Sequence, residues 1–166
     1  MKIAVFSDTH DNSANITLAI SHIKKLGIPC IIHCGDVCNY DTLFEMQKNF
    51  TGYIHIACGN NDIHEELQRI RKTNKNVYIY EKIGILKHSF GDIAWCHYPK
   101  LAYQLAHEKK YQAIFYGHTH TPWEKKIDDI KIINPGTLGG IFSKPTFAIY
   151  DLASKKAELI FIENLL

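Results

Sequence analysis

Residue types that bind metal ions and activate water occur at five places in the sequence. They are Asp8-Thr9-His10, Gly35-Asp36, Gly59-Asn60-Asn61-Asp62, Cys96-His97 and Gly117-His118-Thr119-His120. Each follows a short apolar run, such as Ile3 to Phe6 or Ile31-Ile32. Such runs read as strands. A carboxylate or imidazole just past the end of a buried strand is displayed for chemistry rather than packing. Asp36 is read as the residue the other clusters share. Carboxylate and imidazole ligands suit manganese, iron, zinc, nickel or cobalt, and a site without thiolates gives up the softest selectivity. Taken singly, each cluster has a plainer explanation. Asp8 could cap a following helix, the Gly59–Asp62 stretch could be only a turn, and His97 could be a core histidine. The pair His118 and His120 is more suggestive, since a period of two on a strand points both imidazoles the same way.

The elements that must position these residues follow from hydrophobic period. Strands are expected over Lys2 to Ser7, Cys30 to Cys34 and Tyr53 to Ala57. Helices are expected between them. One carries Ile16, Ala19, Ile20, Ile23 and Leu26 and is stopped by Gly27 and Pro29; the other runs from an Asp41 cap to Asn49, with Leu43, Phe44, Met46 and Phe50 on one side. A short helix over Glu65 to Arg71 follows. Further strands are expected over Val77 to Tyr80, Gly84 to His88, Asp92 to His97, Ala113 to Tyr116, Trp123 to Ile127, Lys131 to Ile133, Thr146 to Asp151 and Ala157 to Ile162. Leu101 to Lys109 forms a helix among them, and Asp128-Asp129 and Ser154-Lys155 turn hairpins. The βαβαβ start implies a right-handed parallel sheet, and the strand-rich second half is expected to supply a second, mixed sheet. Ligand sites of open parallel sheets lie beyond the carboxyl ends of the strands, where every cluster above falls. The fold class expected is α/β, two facing sheets with helices outside, in a single domain over 1–166.

In this order the clusters resemble the calcineurin-like metallophosphoesterase superfamily. With the Ser7-Asp8-Thr9-His10 opening and the later Asn134-Pro135-Gly136-Thr137, the chain is similar to its small prokaryotic phosphodiesterases of the YfcE and MJ0936-like type. The resemblance spans residues 7 to 137. It implies a four-layer α/β/β/α sandwich with two divalent metals between strand ends, manganese first among the candidates. It implies that Asp8, His10 and His120 hold one metal and Asn60, His97 and His118 the other, with Asp36 bridging through one carboxylate oxygen to each. The reaction implied is hydrolysis of a phosphodiester by a metal-bridging hydroxide, with Asp36, Asn60 and His97 acting through metal and hydroxide positioning. Two divalent cations set against two carboxylates and a hydroxide leave a positive core suited to a diester monoanion.

Two positions depart from the family pattern. Asn61 stands where many members have a histidine credited with protonating the leaving group, and an amide does not titrate. His64 is the candidate substitute, against a reading as a solvated residue at a helix start. Tyr98-Pro99 follows His97 where glycine is common. Tyr98 is expected to pack against Trp95 or Pro99, with a position over the substrate as the alternative. His33 could support Asp36, Thr137 could contact phosphate, and His22, His55, His88 and His107 read as structural or solvated. The competing function is a scaffold or protein-interaction module on the same fold, like a retromer subunit; the full ligand set favours catalysis.

A net charge of +2 over 166 residues, with no basic stripe, argues against a nucleic-acid partner. No apolar run approaches the ~20 residues of a membrane span, and the four-residue run after Lys2 is not a signal peptide. The cytoplasm and a small phosphodiester or phosphate ester substrate are therefore expected. Cys30, Cys34, Cys38, Cys58 and Cys96 are odd in number and lack zinc-type pairing. They read as small buried hydrophobes. Tyr78, Tyr80 and Phe90 are candidate interface residues should the chain form a homo-oligomer.

Overall fold

The computed structural model describes residues 1–166 apart from the side chain of Arg71. Its first half is β1 (Lys2–Phe6), α1 (Ser13–Lys25), β2 (Cys30–His33), α2 (Tyr40–Asn49), β3 (Tyr53–Ala57), α3 (His64–Thr73) and β4 (Val77–Tyr80). Then come β5 (Ile83–Leu86), β6 (Ile93–Cys96), α4 (Pro99–His107), β7 (Ala113–Phe115), β8 (Trp123–Ile127), β9 (Ile130–Asn134), β10 (Thr146–Asp151) and β11 (Lys156–Phe161). A 3₁₀ turn over Ile162–Leu165, which the hydrophobic pattern did not signal, ends the chain.

Two mixed sheets form. One has the strand order β11-β10-β1-β2-β3-β4 and the other β5-β6-β7-β9-β8. The first half was expected to make one sheet and the strand-rich remainder the other. Instead β4, expected with the strand-rich part, joins the first sheet parallel to β3, and β10 returns to it antiparallel to β1 and brings β11 with it. The reason is burial. All of Thr146 to Tyr150 is buried, which suits an interior position beside β1 better than an edge.

Side chains alternate between layers with the strand period of two. Ala4, Phe6 and Ile31 pack under α1 to α3 with Ile20, Ile23, Leu43, Met46 and Ile70. Ile3, Val5, Cys30 and Ile32 point the other way and meet Trp95, Phe115 and Tyr150 between the sheets. A third cluster joins Ala94, Ile114 and Ile132 to Ala102 and Leu105 of α4. The molecule is thus an α/β/β/α sandwich. Leu26 and Phe44, both placed on buried helix faces by periodicity, are exposed at 52% and 43%. Leu26 is the C-cap of α1, and Phe44 stacks on Tyr40 instead. The α2 cap is Asn39, whose Oδ1 accepts from the Thr42 amide, and not Asp41.

Candidate metal centre

The carboxyl ends of β1, β2 and β3 lie side by side because these strands pair in parallel. The loops leaving them are tied together by their main chains. Asp8 N–H donates to the Gly35 carbonyl at 2.9 Å and His10 N–H to the Asp36 carbonyl at 3.1 Å. The second sheet contributes the ends of β6 and β7, joined by Gly117 N–H to the His97 carbonyl at 3.0 Å. Thus Asp8, His10, Asp36, Asn60, His97, His118 and His120 are gathered at one rim of the sandwich.

They fall into two groups. In the first, His120 Nε2 lies 3.3 Å from Asp8 Oδ1 and 3.2 Å from His10 Nε2. In the second, His97 Nε2 lies 2.9 Å from Asn60 Oδ1, and His118 Nδ1 is 3.0 Å from the same oxygen. Asp36 Oδ2 faces both groups, 3.9 Å from His10 Nε2 and 3.7 Å from His97 Nε2. A single oxygen faces both groups, while Oδ1 accepts the Asn61 amide N–H at 2.9 Å. The Asn61 side chain donates to Oδ2 at 2.7 Å, so its amide orients Asp36.

The tautomers decide what these distances mean. His97 Nδ1 donates to the Cys34 carbonyl at 2.9 Å, and His120 Nδ1 to the Ile141 carbonyl at 3.0 Å. With that proton on Nδ1, it is the Nε2 of a neutral ring that carries the lone pair. Both lone pairs are aimed at other acceptors, namely Asn60 Oδ1 and Asp36 Oδ2 for His97, and Asp8 Oδ1 for His120. Asp8 is fully buried and Asp36 nearly so, and burial raises the Asp8 carboxyl, partly offset by the Ser7 hydroxyl at 2.5 Å. Among the described residues, the basic side chains with a nitrogen within 4.0 Å of either carboxylate are histidines, and neither lysine nor arginine is among them. Converging lone pairs and buried carboxylates fit divalent cations of the oxygen- and nitrogen-preferring kind. Asp8, His10 and His120, and separately Asp8, Asp36 and His97, offer ligand atoms all within 4.8 Å of one another.

The local backbone is strained to make this possible. Asp8, His10, Asp36, His118 and His120 all have left-handed φ, between 42° and 70°. Non-glycine residues adopt this region at a cost of ~1–3 kcal/mol each, and such strain collects at functional sites. Two glycines give the carboxylates room. A Cβ on Gly59 would collide with Asp36 Oδ1, and one on Gly117 with Ser7 Oγ.

Several positions differ from expectation. His64 is half-buried at the start of α3, with Nε2 3.0 Å from Gln68 Nε2, and is turned to its own helix. Tyr98, expected against Trp95 or Pro99, has histidines as its ring neighbours. Its ring meets His97 and His118 edge-on, each at 5.0 Å between centroids, and stays 43% exposed. Thr137 is fully buried and donates to the Asp8 carbonyl at 2.8 Å, so it braces the β1 end instead of reaching phosphate. Asp8 does not cap α1; Asn12 does. His33 is buried, accepts from Gly35 N–H at 3.1 Å and lies 3.2 Å from the Thr9 hydroxyl. Tyr78 and Tyr80 are half-buried around His55 and offer little interface; Phe90 is exposed. Four cysteines are buried, but Cys38 is half-buried with Sγ 3.4 Å from His10 Nδ1.

Asp62 has a role that the pattern of ligands hid. It accepts from the Gly59 and Asp36 amides at 2.8 Å and from the Cys38 amide at 2.7 Å. It therefore ties the Asp36 loop to the Asn60 loop. Its legible signal is its place at the end of the Gly59-Asn60-Asn61-Asp62 stretch, since an aspartate can accept from a backbone amide three residues back.

A model of the calcineurin-like phosphoesterase superfamily domain matches residues 1–155. The chain belongs to that superfamily. Phosphodiesterase MJ0936 of Methanocaldococcus jannaschii is 32% identical over 98% of this chain and 100% of its own length. A probable metallophosphoesterase of Methanothermobacter thermautotrophicus is 27% identical over 82% of this chain and 77% of its own. Among solved structures, a novel archaeal phosphodiesterase superposes with a TM-score of 0.89 at 28% identity, covering 97% of this chain and 99% of the other. Vps29 of Entamoeba histolytica, solved with zinc, shares the fold with a TM-score of 0.70 at 15% identity, over 98% and 99% of the two chains. The superfamily uses divalent metals, and this member keeps donor groups able to hold them. No helix among the described residues is long and apolar enough to cross a membrane.

Proposed function

We propose that this calcineurin-like phosphoesterase hydrolyses a small phosphodiester or phosphate ester in the cytoplasm, working with two divalent cations, manganese first among them. Asp8, His10 and His120 would hold one cation, Asn60, His97 and His118 the other, and Asp36 would serve both. The observation that carries this reading is Asp36 Oδ2, which faces both groups of converging lone pairs. A pair of bound cations supplies Lewis-acid charge for the phosphate oxygens and lowers the pKa of water into the neutral range.

The chain's own residues do the positioning. The Cys34 and Ile141 carbonyls take the Nδ1 protons of His97 and His120 and turn each Nε2 toward the centre. Asn61 orients Asp36, and its amide does not titrate and so cannot act as a general acid toward a leaving group. Turnover should therefore favour esters whose leaving group departs as a stable anion. The name of the MJ0936 relative supports a diester substrate. The fold likeness to Vps29 raises the alternative of an interaction module, and the complete donor set favours catalysis over it.

The test is to strip the protein with chelator, restore single metals and follow hydrolysis of bis(p-nitrophenyl) phosphate. Manganese is expected to restore turnover, and Asp36→Asn to abolish it. If no metal restores turnover and Asp36→Asn matches the wild type, the enzyme reading fails.

A further inference from the structure

A groove of about 510 Å³ opens beside His118, lined by Tyr98, Pro99, Lys100, Leu101, Gln104 and His118. That volume lies in the range of small-molecule sites. One end of the groove is the metal centre itself, because the Tyr98 ring touches the edges of His97 and His118. Tyr98 leaves 43% of its surface uncovered at this point. The main chain fixes the ring's base. Tyr98 is the N-cap of α4, its carbonyl accepts from the Leu101 and Ala102 amides at 3.1 Å, and Pro99 occupies the first turn. A rigid, half-uncovered aromatic face is a stacking platform. The Gln104 amide, able to donate and to accept, and the Lys100 ammonium stand at the rim.

We propose that this groove takes a planar aromatic group carried on the phosphate ester, a nucleobase or an aryl ring, stacked on Tyr98 while the phosphate lies at the metal centre. The inference rests on the phosphodiesterase reading for the phosphate end only. Stacking of a base on an aromatic side chain strengthens binding by about tenfold.

Titration calorimetry on manganese-loaded protein with methyl phosphate, phenyl phosphate and thymidine 5′-monophosphate keeps the phosphate constant and varies what it carries. At least one aromatic ester is expected to bind about tenfold more tightly than methyl phosphate. Tyr98→Ala should reduce that preference to near unity and Tyr98→Phe should keep it. Phe142→Ala is the control, since Phe142 is 95% exposed on the His120 side, and should also keep it. A nucleotide advantage over phenyl phosphate assigns the nucleobase, and parity or a phenyl advantage assigns the aryl ring. Equal binding of all three esters by the wild type, or a Tyr98→Ala loss by the same factor for all three, overturns the proposal. Binding is read without turnover. A missing preference with metal-restored hydrolysis intact refutes the groove alone, whereas a preserved preference without hydrolysis refutes the phosphodiesterase reading alone.

Discussion

Asp36 and Asp62 are aspartates in neighbouring loops with different jobs. Asp36 presents Oδ2 to both ligand groups, whereas Asp62 spends both oxygens on three backbone amides. Burial raises the Asp62 carboxyl, and the three amide bonds work against that rise by favouring the charged form. Replacing it by asparagine leaves one acceptor oxygen where two served. Partners that orient metal ligands typically contribute ~10–100-fold in metal affinity. Asp62→Asn is therefore expected to weaken manganese binding by about that factor, measured by competition with a chelating indicator. The residues proposed as ligands stand out in the sequence because they sit at strand ends with metal-binding chemistry. Asp62 was not, because its function is a set of backbone contacts to residues 26 and 24 positions away, which no local pattern encodes.

At the scale of elements, helix ends were less legible than helix faces. Of the stripe Leu43, Phe44, Met46 and Phe50 expected for α2, Phe44 alone is exposed, whereas the cap is Asn39 and not Asp41. Both residue types cap helices, so spacing alone cannot choose between them. The choice is made by the loop from Asp36, which delivers Asn39 in extended geometry with Oδ1 2.9 Å from the Thr42 amide. Asn39→Ala is expected to cost about 1 kcal/mol of stability in denaturant unfolding, with Asp41→Ala costing less. The Tyr98 loop was also illegible. Pro99 argued for an extended Tyr98, which is seen at φ −89° and ψ 135°, but one of the ring's two neighbours, His118, comes from the loop beyond β7 and is not signalled by the local sequence.

For the whole molecule, the two-sheet sandwich could be read from βαβαβ order and strand-end chemistry. The partition of strands between sheets could not, because β10 is chosen for its place beside β1 by burial on both faces. That architecture also seals His55 between the sheets, stacked on Tyr78 at 4.7 Å and 3.2 Å from the Tyr80 hydroxyl. Burial pushes its pKa down to about 4, from 6.5 in an open chain. Between those values the unfolded chain binds a proton that the fold refuses. Stability therefore rises with pH through this window and is lost as pH falls from about 6.5 toward 4. His55→Gln should flatten the dependence, read as the change in Tm of chelator-treated protein between pH 7 and pH 5 against the wild type.

The shared carboxylate is the claim on which the rest depends, and metal stoichiometry by mass spectrometry of equilibrated protein tests it most directly. Wild-type protein is expected to hold two manganese ions per chain, Asn60→Ala to keep one, and Asp36→Ala to lose the pair. One ion or none in the wild type, or the same stoichiometry in both variants, would contradict a centre organised around Asp36.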